Sequence, residues 1–261
     1  SAQSDEQAYT ISLVTSDALT TDELLEQMSQ RDDVVYAEAD ATCSLEDEGA
    51  STSAASVDAD DVIPAGNDYT AYEWGLDNAG IFDNGTSGID IGNDDGLTGS
   101  SDAIVAVIDT GIDYTHPYLW DWPEDADDPT CRVIGFRNFT TDRTPDDPMD
   151  GHGHGTHVAG IVAADGADWD DPEFKGMAPD AWLYAIKVLS DAGRGSSSWV
   201  ISGIEWAVNP EVGLPRADVI NMSLGASGVT TPGYPTCLAA NAAVDAGVIV
   251  AASAGNDGQE S

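Results

Sequence analysis

The sequence predicts an α/β fold whose main part is a doubly wound, mostly parallel sheet, preceded by a small α+β segment. Three observations predict it. Beyond residue 102 the apolar runs are continuous instead of alternating, as strands covered on both faces must be. Helical stretches separate those runs in turn, the order that a parallel sheet with crossover helices requires. A stretch rich in Ser, Ala and acid divides this region from an N-terminal part of different pattern.

Taken in order, residues 8–14 (AYTISLV) read as a strand, and 20–30 (TTDELLEQMSQ) as a helix with Thr21 and Asp22 as capping candidates. Residues 33–40 (DVVYAEAD) read as a second strand, so 1–43 make one small unit. Residues 44–70 contain EDEGASTSAASVDADD, which offers too little apolar surface to offset the entropy of ordering it. This is expected to be a linker. Residues 71–261 carry the larger domain, with strands expected at 103–108, 181–189, 217–224 and 247–255. Helices are expected at 155–164, 197–208 and 237–246.

The 261 residues include 48 Asp and Glu against 8 Lys and Arg, a formal charge of -40 spread along the chain. Phosphate backbones would be repelled everywhere, which excludes nucleic acid as a partner. Such self-repulsion is relieved by salt or by bound cations, Ca²⁺ among them. The three cysteines, Cys43, Cys131 and Cys237, show no CxxC spacing, so neither a zinc ribbon nor a disulfide framework is written here. A Cys131–Cys237 bridge is left open. No run approaches the ~18 apolar residues of a membrane span, and Ser1 opens a polar segment without the features of a signal peptide.

In open parallel sheets the ligand crevice lies beyond the carboxyl ends of the strands. Asp109 follows the run at 103–108, Ser223 to Gly225 end the run at 217–224, and Asn256 follows that at 247–255. His154 opens a helix whose N-terminus faces the same crevice. Asp-Thr-Gly at 109–111 is also a motif of pepsin-like aspartic proteases, but those need a second carboxylate on a β-rich lobe, and neither is found. His152, His154 and His157 spell HxHxxH, near the zinc motif of metallo-β-lactamase-like hydrolases, with Thr156 where that motif has Asp. A structural histidine cluster is the plainer alternative. A third role is general base: a serine nucleophile needs an imidazole in reach, itself held by a buried carboxylate. Asp109 and His154 suit those two roles.

The stretches AVIDTGIDYTHPYL, GHGTHVAGIVAA, INMSLG and AASAGNDG resemble, in order, the successive motifs of the subtilisin-like serine proteases, the subtilases. The resemblance implies a subtilisin-like fold and a serine endopeptidase acting on protein or peptide substrates, with no organic cofactor. By it Asp109 and His154 are the triad aspartate and histidine, and Asn256 the amide donor of the oxyanion hole. It further implies that Ser223, Leu224 and Gly225 line the pocket beside the cleaved bond, and that DAGRGS, with Gly193 and Gly195, pairs with an extended substrate. Residues 1–43 resemble the inhibitory propeptide of such enzymes, an intramolecular partner, with a processing site within 44–70. A separate small interaction domain is the alternative there.

One departure stands out. The family carries its nucleophile in a later Gly-Thr-Ser motif opening a helix, and the triplet at 85–87 precedes Asp109 and follows no apolar strand. The 261 residues are therefore expected to be the first part of the domain, with the serine beyond Ser261. A noncatalytic binding or folding module derived from the family is the competing reading. The acidic loop 165–176 (DGADWDDPEFKG) follows the histidine helix where subtilases often hold calcium, and Asp165, Asp168, Asp170, Asp171 and Glu173 supply hard oxygen donors. The family implies secretion, with the signal peptide already removed.

Overall fold

A computed structural model describes residues 10–34, 36–45, 103–119, 131–164, 176–178, 181–226 and 234–255. Among the described residues, strands β1 (Thr42–Ser44), β2 (Ile104–Asp109), β3 (Val133–Asn138), β4 (Trp182–Lys187), β5 (Arg194–Ser196), β6 (Val219–Met222), β7 (Gly225–Ala226) and β8 (Ile249–Ala252) are interspersed with four α-helices. These are α1 (Thr21–Ser29), α2 (His154–Ala163), α3 (Ser197–Val208) and α4 (Pro235–Asp245).

Five strands form a wholly parallel sheet in the order β3-β4-β2-β6-β8. Every residue of β2 is buried, which is why its sequence, IVAVID, is apolar at consecutive positions and not at alternate ones. Val105, Val107, Leu183 and Ala185 face Ala159 and Ala163 of α2 on one side. Ile104, Ala106, Ile108, Tyr184 and Ile186 face Val200, Ile201 and Ile204 of α3 and Ala239 and Ala243 of α4 on the other. Successive side chains point to opposite faces of a strand, so one apolar run supplies both cores. At about 1.5–3 kcal/mol for each fully buried aliphatic side chain, this double burial holds the sheet together.

The chain enters the sheet at β2, runs to β3 at the edge, returns to β4 between β3 and β2, then crosses to β6 and β8 on the other side of β2. The expected doubly wound architecture is therefore present, with helices on both faces of the sheet and β2 at its centre. A crevice opens there at the carboxyl ends, and β2 ends in Asp109.

The N-terminal part differs from expectation. Its helix is present, but the cap is Thr20 and not Thr21 or Asp22: Thr20 Oγ1 accepts from Glu23 N while the Glu23 carboxylate accepts from Thr20 N. This reciprocal box satisfies two backbone donors at once, which a cap one residue later could not do with Glu23. The described residues of 8–14 and 33–40 form no strand. Apolar pattern alone does not make a ladder, which needs partner strands in register. The strand of this region is β1, which lies between β5 and β7 in a second, antiparallel sheet. None of the three cysteines is in a disulfide, so the Cys131–Cys237 bridge does not form.

Candidate active site

Asp109 is fully buried at the end of β2, and the strand places its carboxylate where the first turn of α2 begins. Gly153 precedes that helix with φ of 98°, a left-handed conformation that costs glycine little, and His154 is its first residue. The two elements touch because Gly155 lacks a side chain: a Cβ there would lie 2.1 Å from Gly111 O and 3.2 Å from Asp109 Oδ1. His154 Nδ1 thus comes within 2.8 Å of Asp109 Oδ1, which also accepts from Thr110 N at 2.7 Å. A buried carboxylate on Nδ1 fixes the imidazole orientation and leaves Nε2 as its proton-accepting nitrogen.

Two further carboxylates, not singled out from the sequence, hold the loop before His154. Asp150 accepts from His152 N, Gly153 N and Thr110 Oγ1 through Oδ1, and from Thr156 N and Oγ1 through Oδ2. Burial alone would raise its pKa, but these donors, the Gly153 and Thr156 amides foremost, bring it below the ordinary carboxylate range. An Asp immediately before Gly-His-Gly is a turn signal that could have flagged it. Asp191 accepts from Arg143 Nη2 at 2.7 Å, Lys187 Nζ at 2.9 Å and Gly151 N at 3.2 Å. The Arg143 bond above all holds its carboxyl well below the usual range. Lys187 is itself fully buried and donates to Thr110 O. One carboxylate thereby ties the loop before β5 to the His154 loop and to the end of β4.

The residues expected to bind substrate come together around β1. Cys43 pairs with Gly195 and Ala226, and Ser44 with Arg194 and Gly225. Leu45 N donates to Gly193 O at 3.1 Å and Ser197 N to Ala41 O at 2.9 Å. The Asp40 carboxylate accepts from Ser198 N and Oγ at 2.8 and 2.6 Å, an anion at the N-terminus of α3, where the helix dipole favours it. Ser223 Oγ accepts from Asn221 Nδ2, and Leu224 O accepts from Ser253 Oγ, so these two lie at the rim without pairing to β1. A Cβ on Gly193 would meet Leu45 Cδ1 at 3.2 Å and His152 Nε2 at 3.3 Å. The His152 ring lies 6.4 Å from that of His154, so the extended segment runs toward the Asp109–His154 pair.

The three histidines do not converge: His154 turns to Asp109, while His152 and His157 are exposed. Among the described residues no group of His, Cys, Asp or Glu could hold a metal ion. Asn256, the triplet at 85–87 and the acidic cluster Asp165, Asp168, Asp170, Asp171 and Glu173 lie outside the described residues. No helix among the described residues is long and apolar enough to cross a membrane.

Residues 100–261 match the model of the subtilase family of peptidases. Subtilisin E of Bacillus subtilis is 43% identical over 165 residues, covering 62% of this chain and 36% of that protein. Serine protease AprX of the same organism is 37% identical over 173 residues, covering 63% and 35%. An intracellular serine protease of Paenibacillus polymyxa is 39% identical over 156 residues, covering 59% and 41%. The chain thus spans less than half the length of each of these relatives.

Proposed function

From the premise that this chain belongs to the subtilase family, we propose that it is the Asp- and His-bearing part of a serine endopeptidase that cleaves protein or peptide substrates. One observation carries the reading: the 2.8 Å contact between His154 Nδ1 and the fully buried Asp109. Asp109 holds the imidazole in one tautomer and stabilises the imidazolium, and His154 takes the nucleophile's proton and returns it to the leaving amine. The serine belongs to the part of the relatives' length that these residues do not span. Asn256 donates its amide to the oxyanion, a contribution on the order of 3 kcal/mol where such donors have been removed from subtilisin itself.

Substrate binds as an extended strand. The backbones of Gly193, Gly195 and Gly225 pair with it, and Ser223 and Leu224 form the rim beside the cleaved bond. Thr42–Ser44 support this reading by lying between β5 and β7 as a substrate would, with Leu45 and His152 both close to Gly193. The N-terminal segment acts as an intramolecular, substrate-mimicking propeptide, and processing falls within 44–70. The cluster from Asp165 to Glu173 binds Ca²⁺, for which five carboxylates within nine residues are the right donor chemistry. The enzyme is secreted.

The test is a serine-directed phosphonate applied to the full-length protein. Stoichiometric labelling and hydrolysis of an unfolded protein substrate are expected, both lost in His154→Ala. A full-length protein that folds but neither labels nor cleaves is a noncatalytic module.

A further inference from the structure

Lys187 ends β4 opposite Asp109 in the parallel ladder, and none of its side chain is exposed. Desolvating an ammonium is costly even when it is paired, and an apolar side chain of similar length would fill the same space without that cost. Packing alone does not account for a charge here. Its contacts lead to the catalytic pair: Lys187 Nζ donates to Thr110 O at 2.5 Å and to Asp191 Oδ1 at 2.9 Å. Thr110 is buried too, and its other polar groups all engage the catalytic elements. Its N–H donates to Asp109 Oδ1 at 2.7 Å, while its hydroxyl accepts from Gly155 N, next to His154, and donates to Asp150 Oδ1. The two residues after Lys187 hold the preceding carbonyl, since Val188 N and Leu189 N both donate to Asp109 O. A buried positive charge, with Asp191 as its counter-ion, is thus separated from the Asp109–His154 contact by Thr110 alone.

We propose that Lys187 is a positioning residue whose buried charge, balanced by Asp191, sets how readily His154 takes up a proton. Its consequence for catalysis rests on the peptidase reading; the charge relation itself does not. The sign follows from the charges. The ammonium opposes formation of the imidazolium at His154, and the Asp191 carboxylate offsets that opposition. Arg143, above all, holds the Asp191 carboxyl well below the usual range, so this counter-charge is present wherever a histidine titrates. The other charged or titratable groups around His154 are Asp109 on β2, Asp150 and His152 in the loop before it, and His157 on α2. Arg143, Asp142 and Asp147 bear on it only through Asp191 and its hydrogen bonds. These groups stay in place when Lys187 and Asp191 are changed, so the pair can be tested by itself.

The test is the titration of His154 in the full-length protein. It is read from the imidazole NMR signals that disappear in His154→Ala, and in parallel from the acid limb of kcat/KM. Constant high salt screens the exposed carboxylates of a chain of charge -40 and reaches a buried ammonium far less. Lys187→Met should raise the His154 midpoint by about 0.5 pH unit, because the opposing cation is gone and Asp191 remains. Asp191→Asn should lower it by about as much, because the ammonium is left unbalanced. The double variant should return close to wild type, since each change removes what the other exposes. Looser packing would lower kcat in both single variants without moving the midpoint in opposite directions. An unmoved midpoint in either single variant, shifts of the same sign, or a double variant no closer to wild type than the single ones overturns the proposal. If Lys187→Met does not fold, Asp191→Asn decides: a downward shift supports the proposal and an unmoved midpoint overturns it. A wild-type protein that folds without cleaving ends the peptidase reading instead, and the NMR midpoints still decide the charge relation.

Discussion

His154 Nδ1 and Asp109 Oδ1 lie 2.8 Å apart although 45 positions separate the two residues in the chain. The contact exists because β2 ends where α2 begins, and it is short because Asp109 is buried against the helix start. Replacing Asp109 with Asn keeps the shape and volume but presents an N–H where the imidazole needs an acceptor, so His154 adopts the wrong tautomer. In the full-length enzyme kcat should fall by about 10⁴, the loss that this change causes in other serine proteases, with little change in thermal stability. Turnover within tenfold of wild type in Asp109→Asn would remove Asp109 from the mechanism.

Gly155 tests the same contact through packing alone. A methyl group there would lie 2.1 Å from Gly111 O, a backbone atom, which cannot swing aside as a flexible side chain can. Gly155→Ala should therefore shift α2 away from β2 and lengthen the His154–Asp109 distance. The expected outcome is a loss of stability of about 1–3 kcal/mol by denaturant unfolding and a fall in kcat larger than that in substrate affinity. Gly160 is the control: a Cβ there meets nothing within 4 Å, so Gly160→Ala should be neutral or stabilising.

Much of this was legible in the sequence, and the parts that were not share a cause. Strands such as IVAVID and helices such as SSWVISGIEWAV declare themselves because burial on both faces, or on one, leaves a local apolar pattern. Val133–Asn138 is not legible because it is an edge strand whose sequence, VIGFRN, is broken by Gly135 and Arg137 and leaves Phe136 exposed, so no continuous apolar run marks it. Thr42–Ser44 carries no strand signature at all; it is extended because β5 and β7 offer it ladder partners from distant parts of the chain. Asp150 and Asp191 were hidden among 48 acidic residues. Nothing local marks Asp191, whose role arises only when Arg143, Lys187 and Gly151 meet in space.

Calcium makes a separate prediction. If Asp165, Asp168, Asp170, Asp171 and Glu173 hold Ca²⁺, the ion stabilises the folded state by mass action, and chelation should lower Tm by several degrees. The measurement belongs in constant high salt, since a chain of charge -40 also gains from simple screening. Replacing Asp170 and Asp171 together with Asn should abolish the chelator's effect. An unchanged Tm on chelation in wild type leaves the loop an ordinary solvated one.

Acid should unfold the protein through its two organising carboxylates. Asp191, with Arg143 as its main partner, and Asp150, with the Gly153 and Thr156 amides, both have folded-state pKa values below the ordinary carboxylate range. The unfolded chain therefore takes up these protons first. Their contribution to stability is complete above about pH 5, where both states are ionised, and is lost as pH falls through about 4 toward the folded-state values. Asp191 is partly exposed, so screening weakens its pairs with Arg143 and Lys187, but Lys187 is fully buried. Asp191→Asn should consequently cost more stability at pH 7 than Arg143→Gln, because it leaves the Lys187 ammonium buried without a carboxylate, whereas the Arg143 change leaves the Lys187 pair intact. It should also flatten the fall in stability between pH 5 and 3 measured by denaturant unfolding. A slope in Asp191→Asn parallel to that of wild type would mean that the acid sensitivity resides in other carboxylates.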